Sequence, residues 1–192
     1  MEKLLIKGGA SLKGEISCSG AKNAALPMIA ATILSDEDII LKKLPYLQDI
    51  TTMFELLGSM GAHILLNENM DFTIASNNLK EKEARYELVK TMRASILVLG
   101  PLVAKYGEAK IALPGGCAIG TRPVNYHLDA LEQLGATITL KNGYIEASAK
   151  KLIGSKIKFD GITVTGTENI MMAACLAEGT TTLTNVAKEP EI

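Results

Sequence analysis

The chain has 192 residues, 47% of them apolar and 21% charged, with a formal net charge of −1, 4% aromatic residues and no Trp. This describes a globular chain able to bury a sizeable core in one domain or one and a half. Its near-neutral charge excludes a global field that recruits nucleic acid or an anionic membrane surface, and no apolar run of about 18 residues predicts a membrane span.

The start, Met1–Gly9, reads as a strand and a turn, not a signal peptide, because Lys7 interrupts a short apolar run. Cys18 lies in a second predicted strand and is given no role. The small residues Ser19-Gly20-Ala21 then lead into Lys22 and a short-side-chain helix over Asn23–Leu34. A strand over Ile39–Leu44, Pro45, an amphipathic helix over Gln48–Met60 and a strand pair, His63–Leu66 and Asp71–Ala75, complete a first unit. The second unit repeats that order. A helix covers Met92–Lys105 and a strand covers Ala109–Leu113. A glycine-rich loop runs to Pro123, a helix covers Val124–Leu134, and strands cover Thr137–Leu140 and Tyr144–Ala147. A third begins with a helix over Glu168–Glu178 and a strand over Thr180–Val186, and stops after Pro190.

The repeat is visible in the residues. Leu57-Gly58-Ser59-Met60-Gly61-Ala62 returns as Leu131-Glu132-Gln133-Leu134-Gly135-Ala136, 74 residues later. Each glycine is placed to end a helix in the left-handed conformation. The expected unit is helix–strand–helix–strand–strand, an α/β (α+β) fold whose first helices, apolar nearly all round, are buried behind sheets. The third unit lacks its second helix and strand pair, so the chain reads as a piece of a longer protein.

The copies differ where chemistry is to be sought. From helix end to proline the first copy has 9 residues (Asp36 to Pro45), the third 11 (Gly179 to Pro190) and the second 16 (Gly107 to Pro123). The extra length is the loop Pro114-Gly115-Gly116-Cys117-Ala118-Ile119-Gly120, whose glycines let backbone approach a ligand. Cys117 is thus the candidate reactive thiol, while Cys175, amid Met171-Met172-Ala173-Ala174, is expected in the core. Three widely spaced cysteines fit a reducing cytoplasm. His63 and His127 are isolated, without CxxC or HExxH, so no metal site is expected. His63 is read as structural and His127 as a capping or packing residue. Lys22 and Arg93 occupy equivalent points before the first helices of units one and two; with free helix-start amides, such cations make anion sites. Arg122 adds a third cation beside the loop.

Three segments carry a resemblance: Ser19-Gly20-Ala21-Lys22-Asn23-Ala24-Ala25-Leu26-Pro27, Lys90-Thr91-Met92-Arg93-Ala94-Ser95, and Leu113 through Val124 with its cysteine loop. Together with Leu131–Ala136 and Leu176–Thr181, they make the whole chain resemble the N-terminal part of the UDP-N-acetylglucosamine 1-carboxyvinyltransferase family, the enolpyruvyl transferases of peptidoglycan synthesis. The resemblance implies two domains of three such units. Residues 1–21 would pack with the second domain, and residues 22–192 would form the repeat domain in units of about 22–89, 90–160 and a truncated 161–192. The absent C-terminal half would be the natural packing partner and would supply further catalytic residues. The implied substrates are phosphoenolpyruvate and UDP-N-acetylglucosamine, with no cofactor, nucleic acid or membrane partner. Cys117 matches the family's proton donor and the thiol alkylated by fosfomycin. Lys22 and Asn23 match the phosphoenolpyruvate site. Arg93, the run Arg122, Pro123, Val124, Asn125 and Tyr126, and the segment Gly161, Ile162, Thr163 and Val164 match positions bordering the sugar nucleotide and nearby anions. Asn125 replaces an Asp of many members, and Gly161 a Lys of some. The sister enolpyruvyl transferase acting on 3-phosphoshikimate, and a non-catalytic nucleotide-binding module of the same fold, are the alternatives.

Overall fold

The computed structural model describes residues 3–9, 11–113 and 124–192. In chain order it contains α1 (Lys22–Ala31) with a 3-10 turn at Thr32–Leu34, β1 (Ile39–Leu41), α2 (Gln48–Met60), β2 (His63–Leu66), β3 (Phe72–Ala75), β4 (Glu83–Ala84) and α3 (Tyr86–Val89). A 3-10 segment over Arg93–Val98 leads into α4 (Leu99–Tyr106). Then come β5 (Glu108–Ala112), α5 (Asn125–Gln133), β6 (Thr137–Lys141), β7 (Tyr144–Ser148), β8 (Lys156–Lys158), α6 (Val164–Ala174) and β9 (Thr182–Thr184).

The repeat read from the sequence is present in the backbone. The sheets of units one and two share an order, β1-β3-β2 and β5-β7-β6, with every pairing antiparallel. The 74-residue offset holds at the level of single hydrogen bonds. Ala62 N–H donates to Leu57 O and Gly61 N–H to Gly58 O, each at 3.0 Å; Ala136 N–H donates to Leu131 O at 3.0 Å and Gly135 N–H to Glu132 O at 2.9 Å. Both glycines sit at positive φ, +108° and +93°, so two matching caps satisfy the last carbonyls of α2 and α5. The second strand pair turns on Asn142 and Gly143, both at positive φ (51° and 78°), with Lys141 opposite Tyr144. That is the two-residue hairpin an Asn-Gly pair favours.

Two strands were not foreseen. β4 pairs in parallel with β5, and β8 in parallel with β9, so a short parallel strand at the end of each of residues 22–89 and 90–160 precedes the first helix of the next unit. The helix expected over Met92–Lys105 is divided: Arg93–Val98 is 3-10, and α4 starts at Leu99. Pro101 explains this, since it has no N–H to give and its ring crowds the carbonyl four residues back; starting the α-helix at Leu99 puts Pro101 in the first turn, where free donors are normal. The third first-helix begins at Val164, four residues earlier than expected, and ends at Ala174. Its early end carries Cys175 out of the core: Cys175 is exposed, its thiol donating to Met171 O at 3.3 Å. Cys18, expected in a strand, is exposed and lies in no strand.

The core is one cluster around α1, α2, α4 and the inner faces of the sheets. On α2 the residues Ile50, Met53, Leu56, Leu57 and Met60 are buried on one stripe, each stabilising the fold by about 1.5–3 kcal/mol before entropy is counted. The central burial expected of the first helices is complete along α4 from Leu99 to Val103. α1 and α6 flank the interior but keep Met28 and Met171 exposed. No helix of the described residues is long and apolar enough to cross a membrane.

Candidate active site

The expected site residues fall on the starts of the first helices and on the segments around them. Lys22 is the first residue of α1, and no side chain caps that helix. Arg93 is the first residue of the 3-10 segment, which also lacks a side-chain cap. Both starts carry a cation and lack a side-chain cap, an arrangement that attracts anions where first-turn N–H groups are free. The start of α6 differs: Thr163 Oγ1 accepts the Gly166 N–H at 3.1 Å, and Thr163 O accepts the Thr167 hydroxyl at 2.7 Å. Asn23 is exposed and Arg93 half-buried. Lys22 Nζ is ion-paired with Asp49 in the first turn of α2. Asp49 was not singled out from the sequence, although an acid in a helix's first turn was a signal available there.

Small residues around Lys22 have a packing reason. A Cβ on Gly20 would run into the carbonyl oxygen of Lys43, so the backbone of the loop leading to Pro45 can lie against the entry to α1 only with glycine at 20.

The two predicted nucleotide segments meet. Asn125 and Tyr126 open α5, with Val124 before them. A Cβ on Gly161 would stand 2.6 Å from the Tyr126 hydroxyl and 3.2 Å from Cζ. The phenol of Tyr126 thus fills the space that a side chain at 161 would need, so Gly161 and Tyr126 are a matched pair. Asn125 is exposed, Val124 half-buried, and Ile162 exposed at the mouth of a groove of about 730 Å³ lined also by Leu183, Asn185, Val186, Lys188 and Glu189. Cys117, Arg122 and Pro123 lie outside the described residues. The flanks of their loop are fixed: Leu113 N–H donates to Gly143 O at 2.8 Å, and Val124 O accepts from His127 N–H at 2.9 Å.

His127 holds this wall in place. Asn169 Oδ1 accepts the Gly100 N–H at 2.7 Å, so its Nδ2 donates to Ile96 O at 3.0 Å and to His127 Nδ1 at 2.9 Å. Nδ1 is then an acceptor, and the ring proton sits on Nε2, facing Thr165 Oγ1 at 3.3 Å. His127 is 4% exposed, and burial pushes its pKa down to about 4, in keeping with a neutral ring. The packing role read from the sequence is what the geometry gives, but Asn169, which ties α4, α5 and α6 together, had no sequence signal. A Cβ on Gly100 would collide with both oxygens of Asn169.

A family model described as EPSP synthase (3-phosphoshikimate 1-carboxyvinyltransferase) matches residues 6–192. The chain belongs to this enolpyruvyl transferase family. Proteins named UDP-N-acetylglucosamine 1-carboxyvinyltransferase from Hydrogenovibrio crunogenus, Halorhodospira halophila and Magnetococcus marinus are 53%, 55% and 54% identical to it over all 192 residues. The chain spans 46% of the length of each of these relatives. The crystal structure of the enolpyruvyl transferase NikO from Streptomyces tendae superposes on 96% of the chain with a TM-score of 0.80 at 21% identity, covering 43% of that protein. An EPSP synthase from Acinetobacter baumannii superposes on 89% of the chain with a TM-score of 0.70 at 20% identity, covering 40% of that protein. These structures establish the shared fold of the enolpyruvyl transferases; the sequence relatives bear on which member this is.

Proposed function

We propose that this chain is the N-terminal part of an enzyme that transfers the enolpyruvyl group of phosphoenolpyruvate to the 3-hydroxyl of UDP-N-acetylglucosamine, a cytoplasmic step of peptidoglycan synthesis on which cell shape and division depend. The observation that carries the reading is identity above one half along the whole chain to proteins bearing that enzyme's name, with the cysteine-loop motif intact. The sister activity on 3-phosphoshikimate is the name of the family model, but the EPSP synthase structures are only 18–20% identical and speak for the fold alone.

The residues suit the chemistry. Phosphoenolpyruvate carries a carboxylate and a phosphate, which a near-neutral protein must meet with local cations: Lys22 at the uncapped start of α1, Arg93 at the equivalent start in unit two, and Arg122 beside the loop. Lys22 is ion-paired with Asp49. Transfer begins when the methylene carbon takes a proton and the neighbouring carbon bonds to the sugar oxygen, whose own proton departs. It ends when a proton leaves the new methyl group, the carbon–oxygen bond to phosphate breaks and phosphate is released. A thiol with a pKa of about 8.5 holds its proton at neutral pH and can deliver it; Cys117 is assigned that role, and as a thiolate it is the group fosfomycin alkylates. Tyr126 against Gly161, with the backbone of Ile162–Val164, forms the proposed nucleotide wall. The remaining wall, including further cations and an acid near the sugar hydroxyl, belongs to the half not present, so the 192-residue chain by itself is expected to turn nothing over.

The test is substrate choice by the full-length protein. Phosphate release from phosphoenolpyruvate is expected with UDP-N-acetylglucosamine and absent with 3-phosphoshikimate. The reverse preference would reassign the enzyme. Binding of UDP-N-acetylglucosamine by calorimetry without phosphate release would leave only a nucleotide-binding module.

A further inference from the structure

The third unit holds a polar group that its own surroundings do not satisfy. Glu168, in the second turn of α6, is 6% exposed, and its Oε1 has no hydrogen-bond partner. The terminal segment is pinned beside it: Ala187 N–H donates to Thr167 Oγ1 at 3.1 Å, and Ile192 N–H closes a turn on Glu189 O at 3.0 Å. The charges of Glu191 and Glu189 in that segment add to burial in disfavouring the Glu168 carboxylate. A buried carboxylate without a partner costs several kcal/mol, and like charges add to that cost. Such a group is kept only if a proton or a cation comes to it.

We propose that Glu168, Glu189 and Glu191 form the seat for an arginine or lysine side chain supplied by the part of the protein beyond this chain. The inference rests on the reading that the chain is one part of a longer transferase. Three observations choose this occupant. The complement to three carboxylates is a cation. Among the described residues no group of three acids, histidines or cysteines is arranged to hold a metal ion, whereas a long side chain with several donors reaches acids that are spread apart. The relatives extend well past the length present here, the chain covering 46% of each. In the chain alone, burial and the two neighbouring acids push the Glu168 pKa up to about 7, so a proton stands in for the missing cation.

The test compares Glu168→Gln in the 192-residue chain and in the full-length protein at pH 8, by thermal unfolding. Glutamine keeps the shape and removes the charge. In the chain alone it should raise the midpoint by about 2–4 °C, because an unpaired buried charge is gone. In the full-length protein it should lower the midpoint, because a cation loses its partner. Glu191→Gln, at a half-buried position that tolerates the change, should show the same reversal of sign. A rise of equal size in both forms, for both variants, overturns the proposal. Turnover is scored separately: sign reversal in a protein without enolpyruvyl transfer activity upholds the seat and rejects the transferase reading, and activity without sign reversal does the opposite.

Discussion

Units one and two, compared with unit three, show how a repeated sequence is finished or left open. The first two end on the same helix caps, the same antiparallel strand pair and the same sheet order. The third is preceded, as the second is, by a short parallel strand that leads to a buried helix and a second strand, then stops. In the described part of the complete units the buried polar side chains find partners: Thr32 bonds Ile29 O and Ser76, and Ser95 bonds Met92 O. In the third unit Glu168 and Thr181 keep unsatisfied oxygens. The other buried polar side chains of unit three, Thr167 and Asn169, are hydrogen-bonded, and the Asn169 junction holds unit three to unit two.

Breaking that junction has the largest expected effect. Asn169→Ala leaves the Gly100 N–H and His127 Nδ1 buried without partners and takes one donor from the Ile96 carbonyl, which keeps the Leu99 N–H, and should cost about 3–5 kcal/mol in urea unfolding. Gly100→Ala pushes α4 off α6 against Asn169 and should cost about 2–3 kcal/mol. A loss below about 0.5 kcal/mol in either would show that the third unit is not clamped through this contact. The pH dependence sharpens the contrast, because the two units meet with groups of opposite behaviour. His127 is held neutral with a pKa of about 4, below its unfolded value near 6.5. The unfolded chain therefore binds the extra proton between those values, and stability present above pH 6.5 falls, by up to about 3 kcal/mol, as the pH drops to 4. Glu168 is raised to about 7. Its folded form holds the extra proton between about 4.5 and 7, so the stability it lends is present at low pH and lost as the pH rises through 7. Between about pH 4.5 and 6.5 the two contributions oppose and largely cancel, so denaturant midpoints should be nearly flat there and fall from about 6.5 to 7; Glu168→Gln should remove that fall and expose a rise in midpoint from about pH 4 to 6.5 due to His127. The smallest effect tests the repeat itself: Ala at Gly61 or Gly135 should cost about 1–2 kcal/mol each for the left-handed backbone, slightly more at Gly61, where a Cβ meets Lys80 N at 3.2 Å.

Much of this was legible in the sequence where local chemistry decides structure. Gln48–Met60 and His63–Leu66 are found at the bounds their periodicity predicts, and the glycine caps follow from Gly-Ala at a fixed offset. β4 and β8 were not legible, since Glu83-Ala84 and Lys156-Ile157-Lys158 offer too short an alternation, and only pairing with β5 and β9 makes them strands. Cys175 misled because an all-round apolar run carries no mark of the turn at which its helix stops. At the site, helix starts with cations were readable from repeat-equivalent positions. Partners that approach from far along the chain were not, such as Tyr126 on Gly161 and Asn169 on His127; Asp49 carried the mark of a first-turn acid, but its pairing with Lys22 had none. The copy difference that singled out Cys117 was readable, but the roles of Cys117 and Arg122 rest on their motif.

The measurement closest to the centre of this account is phosphate release by the full-length protein from phosphoenolpyruvate and UDP-N-acetylglucosamine, for wild type and Cys117→Ser. A serine hydroxyl is a far weaker acid than a thiol, so turnover should fall by about 100-fold or more, the scale of a lost general acid. Undiminished turnover in Cys117→Ser would contradict the assignment of the loop thiol as the proton donor.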